Sequence, residues 1–255
     1  MGRVMVLIVV MTVPVAVHGQ ERDRADDLTD EPSRRAAADG SFMALTMPAR
    51  VGSTKAFAWG LGGYDSSRKG PIADSVAEAR LWGPIALRVS ATYSNDTDRM
   101  RPSIGARAQL LRQDRHGIDG SLSVFFKTEG FTEGEGEIET FASLGRTFDR
   151  VTVTGNLVYG QDPEGNERDG EVRLSLFHAS GRFWYGLDSR ARFAIGTQHG
   201  KAAAVEPTFD AMGGPAATMV VGPIALFAEV GPSAFSLASA TRVGVEAFGG
   251  MGSAF

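Results

Sequence analysis

Short segments in which apolar and polar side chains alternate recur along most of this chain. In the stretch 85–93, Ile85, Leu87 and Val89 fall on one side, while Arg88 and Ser90 fall on the other. Because successive side chains of a β-strand point to opposite faces, this period of two predicts strands with one apolar and one polar face. The sequence therefore predicts an all-β fold.

The alternating segments predict twelve strands, and the connections between them are alternately long and short. Residues 65–73 form a long connection and residues 83–84 a short one, and the pair 129–136 and 149–150 repeats the order. An even number of strands with long loops at one end is typical of an up-and-down antiparallel barrel in a membrane. The strands are predicted at residues 54–64, 74–82, 84–93, 102–112, 118–128, 137–147, 151–161, 170–178, 182–195, 207–221, 224–231 and 241–249.

Alternation alone does not decide whether the apolar face points inward, as in a soluble barrel or sandwich, or outward into a membrane. Four arginines fall near the middle of predicted strands, and an arginine that faces lipid at that depth costs about 2–4 kcal/mol. In a membrane barrel they must therefore face the lumen. Aromatic residues near strand ends favour the membrane alternative, because such residues form belts at membrane interfaces. The mid-strand arginines are Arg88, Arg107, Arg173 and Arg190, and the predicted aromatic girdle is Tyr93, Tyr159, Phe183 and Tyr185.

The chain ends in an aromatic residue, Phe255. Together with the alternating strands, this ending resembles the bacterial outer-membrane β-barrel proteins, in which a terminal aromatic residue is read by the assembly machinery. The resemblance implies a single up-and-down antiparallel transmembrane β-barrel of about twelve strands over residues 51–255. It also implies outer-membrane lipids, lipopolysaccharide and the barrel assembly machinery as partners, with Phe255 as the assembly signal.

The N-terminal residues have the features of an export signal and a linker. Arg3 precedes an apolar run from Val4 to Val17, and small residues follow at the position of a cleavage site, so residues 1–19 are predicted to be a cleaved signal peptide. The run is shorter than the roughly 20 residues that a membrane-spanning helix needs. Residues 20–50 begin with a highly charged stretch and are predicted to be flexible and solvated. The alternative is that this segment enters the lumen as a plug.

Composition excludes several classes of function. A formal net charge of −4 gives no electrostatic footprint for nucleic acid, so no nucleic-acid partner is expected. The chain has no cysteine, which excludes a disulfide framework and a thiolate metal site. His116, His178 and His199 fall at different places along the predicted barrel, so we predict neither a catalytic site nor a metal site, and no cofactor.

The inward-facing charged residues are the candidate functional residues. Eight strands give a barrel filled by side chains and sixteen strands give an aqueous channel, so a barrel of about twelve strands is neither forced shut nor surely open. Opposed charges in its lumen could line a path for small polar solutes, or pair into a network that closes it. The predicted lumen-lining and constriction residues are Arg88, Arg107, Lys127, Arg173, Asp188, Arg190, Arg192, Glu229 and Glu246.

Three hypotheses of function follow. The first is a passive porin-like channel for small hydrophilic solutes, in the bacterial outer membrane. The second is a closed barrel with an adhesion or structural role, which uses acidic external loops such as those around Glu133 and Glu164. The third is a lipid-modifying enzyme that uses His199, with Ser233 or a neighbouring serine supplying a hydroxyl group.

Overall fold

The computed structural model describes residues 32–51, 54–94, 99–128, 136–163, 168–195, 208–237 and 240–255. In these residues the chain forms twelve strands and two short helices, α1 (Pro32–Ala38) before the first strand and α2 (Gln113–His116) between β4 and β5. The strands are β1 (Ala56–Asp65), β2 (Gly70–Trp82), β3 (Ile85–Ser94), β4 (Arg99–Leu111), β5 (Asp119–Thr128), β6 (Gly136–Phe148), β7 (Val151–Gln161), β8 (Arg168–Ser180), β9 (Phe183–Ala194), β10 (Phe209–Val221), β11 (Ile224–Leu237) and β12 (Ala240–Ala254). Neither of the two helices is long and apolar enough to cross a membrane.

The strands form one closed antiparallel barrel. Each strand pairs with the next in sequence, and β1 pairs with β12, from Phe57 opposite Ala254 to Asp65 opposite Glu246. Because every strand has two neighbours, the sheet leaves no edge with unpaired backbone groups. The predicted fold class, an up-and-down barrel of twelve strands, is confirmed.

Several strands are longer than the sequence predicted, among them β12, which continues to Ala254 instead of ending at residue 249. β2 begins at Gly70 instead of residue 74, and β11 continues to Leu237 instead of ending at residue 231. The predicted bounds leave Pro71 and Pro232 in the connections, but the fixed φ angle of proline is compatible with extended backbone. Pro71 pairs with Tyr64, and Pro232 pairs with Val245. As a result only residues 238–239 separate β11 from β12, so the strict alternation of long and short connections does not hold there.

We call the end of the barrel that carries residues 83–84, 149–150, 181–182 and 222–223 the turn end, and the opposite end the loop end. Gly83 and Gly222 have φ angles of 51° and 56°. These positive values are in the left-handed region, where a residue with a Cβ atom is strained, and they let two residues reverse the chain.

The outer wall of the barrel is apolar, whereas the inner wall carries the charged side chains together with buried aromatic and aliphatic ones. Leu157 and Leu174 are 63% and 57% exposed on the outside, whereas the inward-facing Arg107 and Asp188 are 1% and 0% exposed. An exposed band of large apolar side chains around a polar interior is the arrangement of a membrane barrel and the inverse of a soluble one. The predicted direction of the two faces is confirmed.

Residues 32–51, which we call the inner segment, lie within the barrel. α1 contacts β10, β11 and β12, and the hydroxyl group of Ser33 donates to the carbonyl oxygen of Pro223 at the turn end, at 2.5 Å. Gly40, with a φ angle of 81°, ends the helix in the left-handed conformation. The chain then crosses the lumen and leaves it to enter β1 at Ala56.

Residues 20–50 were predicted to be flexible and solvated, and for residues 32–50, which the structure describes, this prediction is wrong. Most side chains from Ser41 to Ala49 are buried. Arg35, one of the charges that suggested a linker, is exposed, as is Arg50, and apolar residues between them pack inside. Residues 20–31 and the predicted signal peptide, residues 1–19, lie outside the described residues.

The apolar residues of the inner segment pack against three separate parts of the wall. Met47 packs with Phe125, Phe141 and Val158, and Leu45 packs with Met212 and Phe248. The largest cluster joins α1 to the turn end of the barrel. Its buried members are Ala36, Ala37, Phe42, Met43, Phe57, Trp59, Val76, Phe177, Trp184, Val220, Ala225, Phe227 and Ala254.

Candidate functional site in the barrel lumen

The nine predicted lumen residues all stand on strands, at positions whose side chains point inward. The alternation of each strand places them there, because their neighbours in sequence carry the exposed apolar side chains of the outer wall. Arg107, Asp188, Glu229 and Glu246 are buried, and the others are partly buried. Eight of them, all except Glu229, fall at two levels, one beside the inner segment and one between it and the loop end.

Asp188 and Arg173 hold the inner segment from β9 and β8. One carboxylate oxygen of Asp188 accepts from the backbone N–H groups of Leu45, at 3.1 Å, and Thr46, at 3.3 Å. Its other oxygen accepts from the hydroxyl group of Thr46. The Nη1 atom of Arg173 donates to the carbonyl oxygen of Leu45 at 2.8 Å. Both polar groups of the Leu45 backbone are therefore bound by the wall.

Arg107 holds the inner segment from β4, on another side of the lumen. Its Nη2 atom donates to the carbonyl oxygen of Pro48 at 2.5 Å. Its Nη1 atom donates to Glu78 at 2.5 Å, and its Nε atom donates to Ser123 at 3.3 Å. The guanidinium group is thus fully buried with three different acceptors.

Two wall residues that contact the inner segment were not singled out from the sequence. Asn156 on β7 accepts from the N–H group of Met47 and donates to its carbonyl oxygen, both at 2.8 Å. Gln109 on β4 accepts from the N–H group of Val51 at 2.5 Å and donates to the carbonyl oxygen of Ala49 at 3.4 Å. The only signal for them is that both are amides at inward positions of their strands, a weak signal without the fold.

Beyond the inner segment, toward the loop end, the wall surrounds a cavity of about 220 Å³. Residues from Met43 to Met47 border it on one side. The lining includes seven basic and five acidic side chains, of which six are predicted lumen residues. These six are Arg88, Lys127, Arg173, Arg190, Arg192 and Glu246.

Most charges around this cavity form ion pairs, either between neighbouring strands or within one strand. Arg190 lies 3.0 Å from Asp210, which also contacts Arg68 at 2.6 Å. Lys127 lies 3.0 Å from Glu139. Further ion pairs join Arg173 to Glu171, Arg192 to Asp169, and Arg88 to Glu78. Most of the acidic and basic side chains that the sequence predicted in the lumen therefore form ion pairs. The carboxylate oxygens of Glu229, in contrast, are buried without a hydrogen-bond partner.

The inner segment fills most of the lumen at its own level. A second cavity, of about 10 Å³, lies beside Ser41 and Arg50 and is lined by Glu78. A space of this size holds roughly one water molecule. Of the residues predicted at the narrowest part, Arg107 and Asp188 contact the inner segment, whereas Arg88, Arg190 and Arg192 line the larger cavity.

The predicted girdle residues have different positions. Tyr159 is 43% exposed near the loop end of β7, and Phe183 and Tyr185 are 47% and 49% exposed at the turn end of β9. Tyr93, one residue before the end of β3, is only partly exposed and borders the larger cavity. Three of the four residues are therefore exposed near the two rims of the outer wall, and Tyr93 is only partly exposed.

Phe255 and the histidines lie away from the lumen site. The N–H group of Phe255 donates to the carbonyl oxygen of Ala56 at 2.8 Å, at the seam of the barrel. His116 is in α2, and the ring of His178 lies 5.4 Å from that of Tyr185. His199 and the acidic residues around Glu133 and Glu164 lie outside the described residues. In the described part of the chain, no group of three histidine or acidic residues could hold a metal ion.

Asp188 allows a direct test of how the inner segment is held. We expect Asp188→Ala to accelerate amide hydrogen exchange at Leu45 and Thr46 by about tenfold to a hundredfold, since a hydrogen bond to a charged group is worth about 1.5–3 kcal/mol. The measurement is hydrogen exchange followed by mass spectrometry on the protein in lipid. Asn156→Ala is the matched control, because its effect should centre on Met47. Unchanged exchange at Leu45 and Thr46 in Asp188→Ala would show that the carboxylate does not hold the segment.

Comparison with known proteins gives a match in fold and none in sequence. The NanC porin aligns with a TM-score of 0.58 and 7% identity, covering 78% of this chain and 99% of that chain. The KdgM porin aligns with a TM-score of 0.52 and 8% identity, with coverage of 78% and 99%. LpxR from Salmonella typhimurium has a TM-score of 0.47 and 8% identity, with coverage of 78% and 100%. No family model and no curated protein matches the sequence.

Proposed function

We propose that this barrel, which has the fold of the outer-membrane porins, is a channel that passes small hydrophilic solutes across the outer membrane. The observation that carries the proposal is the cavity of about 220 Å³ lined by charged side chains, inside a wall whose outer face is apolar. Replacing buried ion pairs by apolar residues of similar volume is often neutral or stabilising. A charged interior would therefore not make the barrel more stable. It would, however, provide the hydrophilic surface that a path for water and polar solutes needs.

The proposed function also implies how the barrel lies in the membrane and what it contacts there. The apolar outer wall would contact outer-membrane lipids and lipopolysaccharide, with the turn end in the periplasm and the loop end outside. Tyr159, Phe183 and Tyr185 would lie at the two membrane interfaces. Phe255, at the seam between β1 and β12, would be the residue that the barrel assembly machinery reads.

Ion conductance in planar lipid bilayers tests the channel. We expect the purified protein to produce stepwise currents, because water in the charged lumen can carry small ions. Heat-modifiable migration on a detergent gel identifies the folded barrel in the same sample. Absence of current at any voltage, both from the folded natural protein and from folded Asp188→Ala, would exclude the channel.

A closed barrel with a structural role is the second candidate function. The observation that favours it is the inner segment, which leaves a cavity of only about 10 Å³ beside it. This candidate predicts no current from any form of the folded protein, and an outer-membrane permeability that does not change when the protein is deleted. Its proposed adhesive surface, the acidic loops, lies outside the described residues.

A further inference from the structure

The inner segment is held in the lumen by side chains of the wall and not by the hydrogen-bond ladder of the sheet. From Leu45 to Val51, four backbone N–H groups and four carbonyl groups bond to wall side chains on four strands. The backbone–backbone hydrogen bonds that the structure shows for residues 32–51 join residues within the inner segment. Examples are the bonds from the N–H group of Ser41 to the carbonyl oxygen of Ala36 and from the N–H group of Met43 to that of Gly40. The pairing of β1 with β2 and β12 closes the barrel without it.

This arrangement separates the stability of the barrel from the position of the inner segment. None of the residues in the twelve strand pairs belongs to residues 32–51, so the strand pairing includes no hydrogen bond to the inner segment. Side-chain contacts on several strands can break while the ladder remains intact. The inner segment can therefore leave the lumen by a local opening, which proteins undergo at a lower free energy than global unfolding.

The contacts between the wall and the inner segment also indicate whether the segment can leave the lumen or is a permanent part of its core. A permanent filling would be most stable with apolar contacts, because buried charged groups need partners. The wall packs apolar side chains against the inner segment, but it also binds the backbone of the segment through Arg107, Asn156, Arg173 and Asp188, which water can hydrate once the segment has gone. After its departure these polar side chains would line part of a path that continues the charged cavity toward the turn end.

We propose that the inner segment is a plug that closes the channel, and that its displacement toward the turn end opens the lumen. This inference rests on the proposed channel function. The direction follows from α1, which lies at the turn end, where Ser33 contacts Pro223. The residues that hold the plug are Arg107, Gln109, Asn156, Arg173 and Asp188, and the residues that anchor it through apolar contacts are Phe42, Leu45 and Met47.

The experiment uses a pair of cysteines, because the chain has none of its own. Thr46 and Asp188 are in direct contact, so Thr46→Cys with Asp188→Cys joins the plug to β9 when the two thiols are oxidised or bridged by a short bifunctional thiol reagent. In the reduced form the same variant lacks the carboxylate that holds Leu45 and Thr46. We expect the reduced form to conduct at least tenfold more than the natural protein in planar bilayers, and the bridged form at least tenfold less than the reduced form.

The control is a cysteine pair of similar geometry within the wall. The hydroxyl groups of Thr147 and Thr152 lie 3.1 Å apart on β6 and β7, at the exposed turn end. Bridging Thr147→Cys to Thr152→Cys should leave the conductance unchanged, and so should treatment of the two single variants at positions 46 and 188. Mass spectrometry measures the fraction of bridged protein in each sample.

The outcomes separate the plug from the channel. If the variant with cysteines at positions 46 and 188 conducts equally in its bridged and reduced forms, the proposed plug is wrong, and the proposed channel function is not affected. Folded protein that passes no current in any form, including the reduced variant, would overturn the proposed channel function and the plug with it. Conductance that rises on reduction and falls on bridging supports both.

Discussion

Replacing Arg107 by methionine should lower the free energy of unfolding by about 3 kcal/mol, the lower end of the range for breaking a buried ion pair. The side chain of Arg107 is 0% exposed, and its Nη1 atom lies 2.5 Å from Glu78. Methionine fills part of the space but leaves the Glu78 carboxylate buried with one weaker partner, Arg88, at 3.5 Å. Equilibrium unfolding in urea, measured on the barrel in lipid vesicles by tryptophan fluorescence, gives the value.

Two controls distinguish the unpaired carboxylate from the loss of a large side chain. Arg112→Met removes an arginine whose ion pair with Asp114 is more than half exposed, and such surface pairs are worth about 0–1 kcal/mol. Glu78→Gln added to Arg107→Met should restore part of the stability, because it removes the buried charge. A loss as small as that of Arg112→Met would mean that water hydrates Glu78 when Arg107 is absent.

The barrel itself could be predicted from the sequence because a strand has only two faces. A shift of one residue in register would turn Leu157 and Leu174 into the lumen and arginines such as Arg173 toward the lipid. The alternation therefore determined the strands, and the direction of their faces followed once a membrane was assumed. It did not determine the strand ends at Pro71 and Pro232, where the neighbouring strands keep the chain extended beyond the residues that alternate.

The inner segment could not be predicted in the same way. Phe42, Leu45 and Met47 show no period, since each packs into a different cluster of the wall. Its backbone is held by side chains that are more than 50 residues away in sequence, among them Gln109 and Asn156. The charges before residue 40 indicated a solvated linker, and the small residues Ala36 and Ala37 that pack in the lumen gave no signal among them.

The lumen site was predictable only in part for the same reason. Inward charges follow from alternation once the membrane is assumed, and all nine predicted residues are on the inner wall. Their division between the plug contacts and the charged cavity depends on the height of each residue along the barrel and on the course of the inner segment. Whether they form the constriction of an open channel remains a prediction for the conductance measurements.

The second large effect is expected on the outer wall, where Leu157→Arg should destabilise the barrel by about 2–4 kcal/mol if the wall faces lipid at this depth. Leu157 lies well inside β7 and is 63% exposed. In a membrane its replacement places a guanidinium group among acyl chains, whereas on a surface that faces water the same change would usually lie within about 0.5 kcal/mol. Urea unfolding of the barrel in lipid vesicles measures the difference.

Leu110→Arg is the matched control, because depth in the membrane is the variable that the prediction depends on. Leu110 is 62% exposed, almost the same as Leu157, but it lies one residue before the end of β4 at the turn end. An arginine near the interface costs only about 0–1 kcal/mol, since its side chain reaches water and headgroups. Equal losses at the two positions would contradict the membrane-spanning arrangement, because without a bilayer the two leucines are in equivalent surroundings.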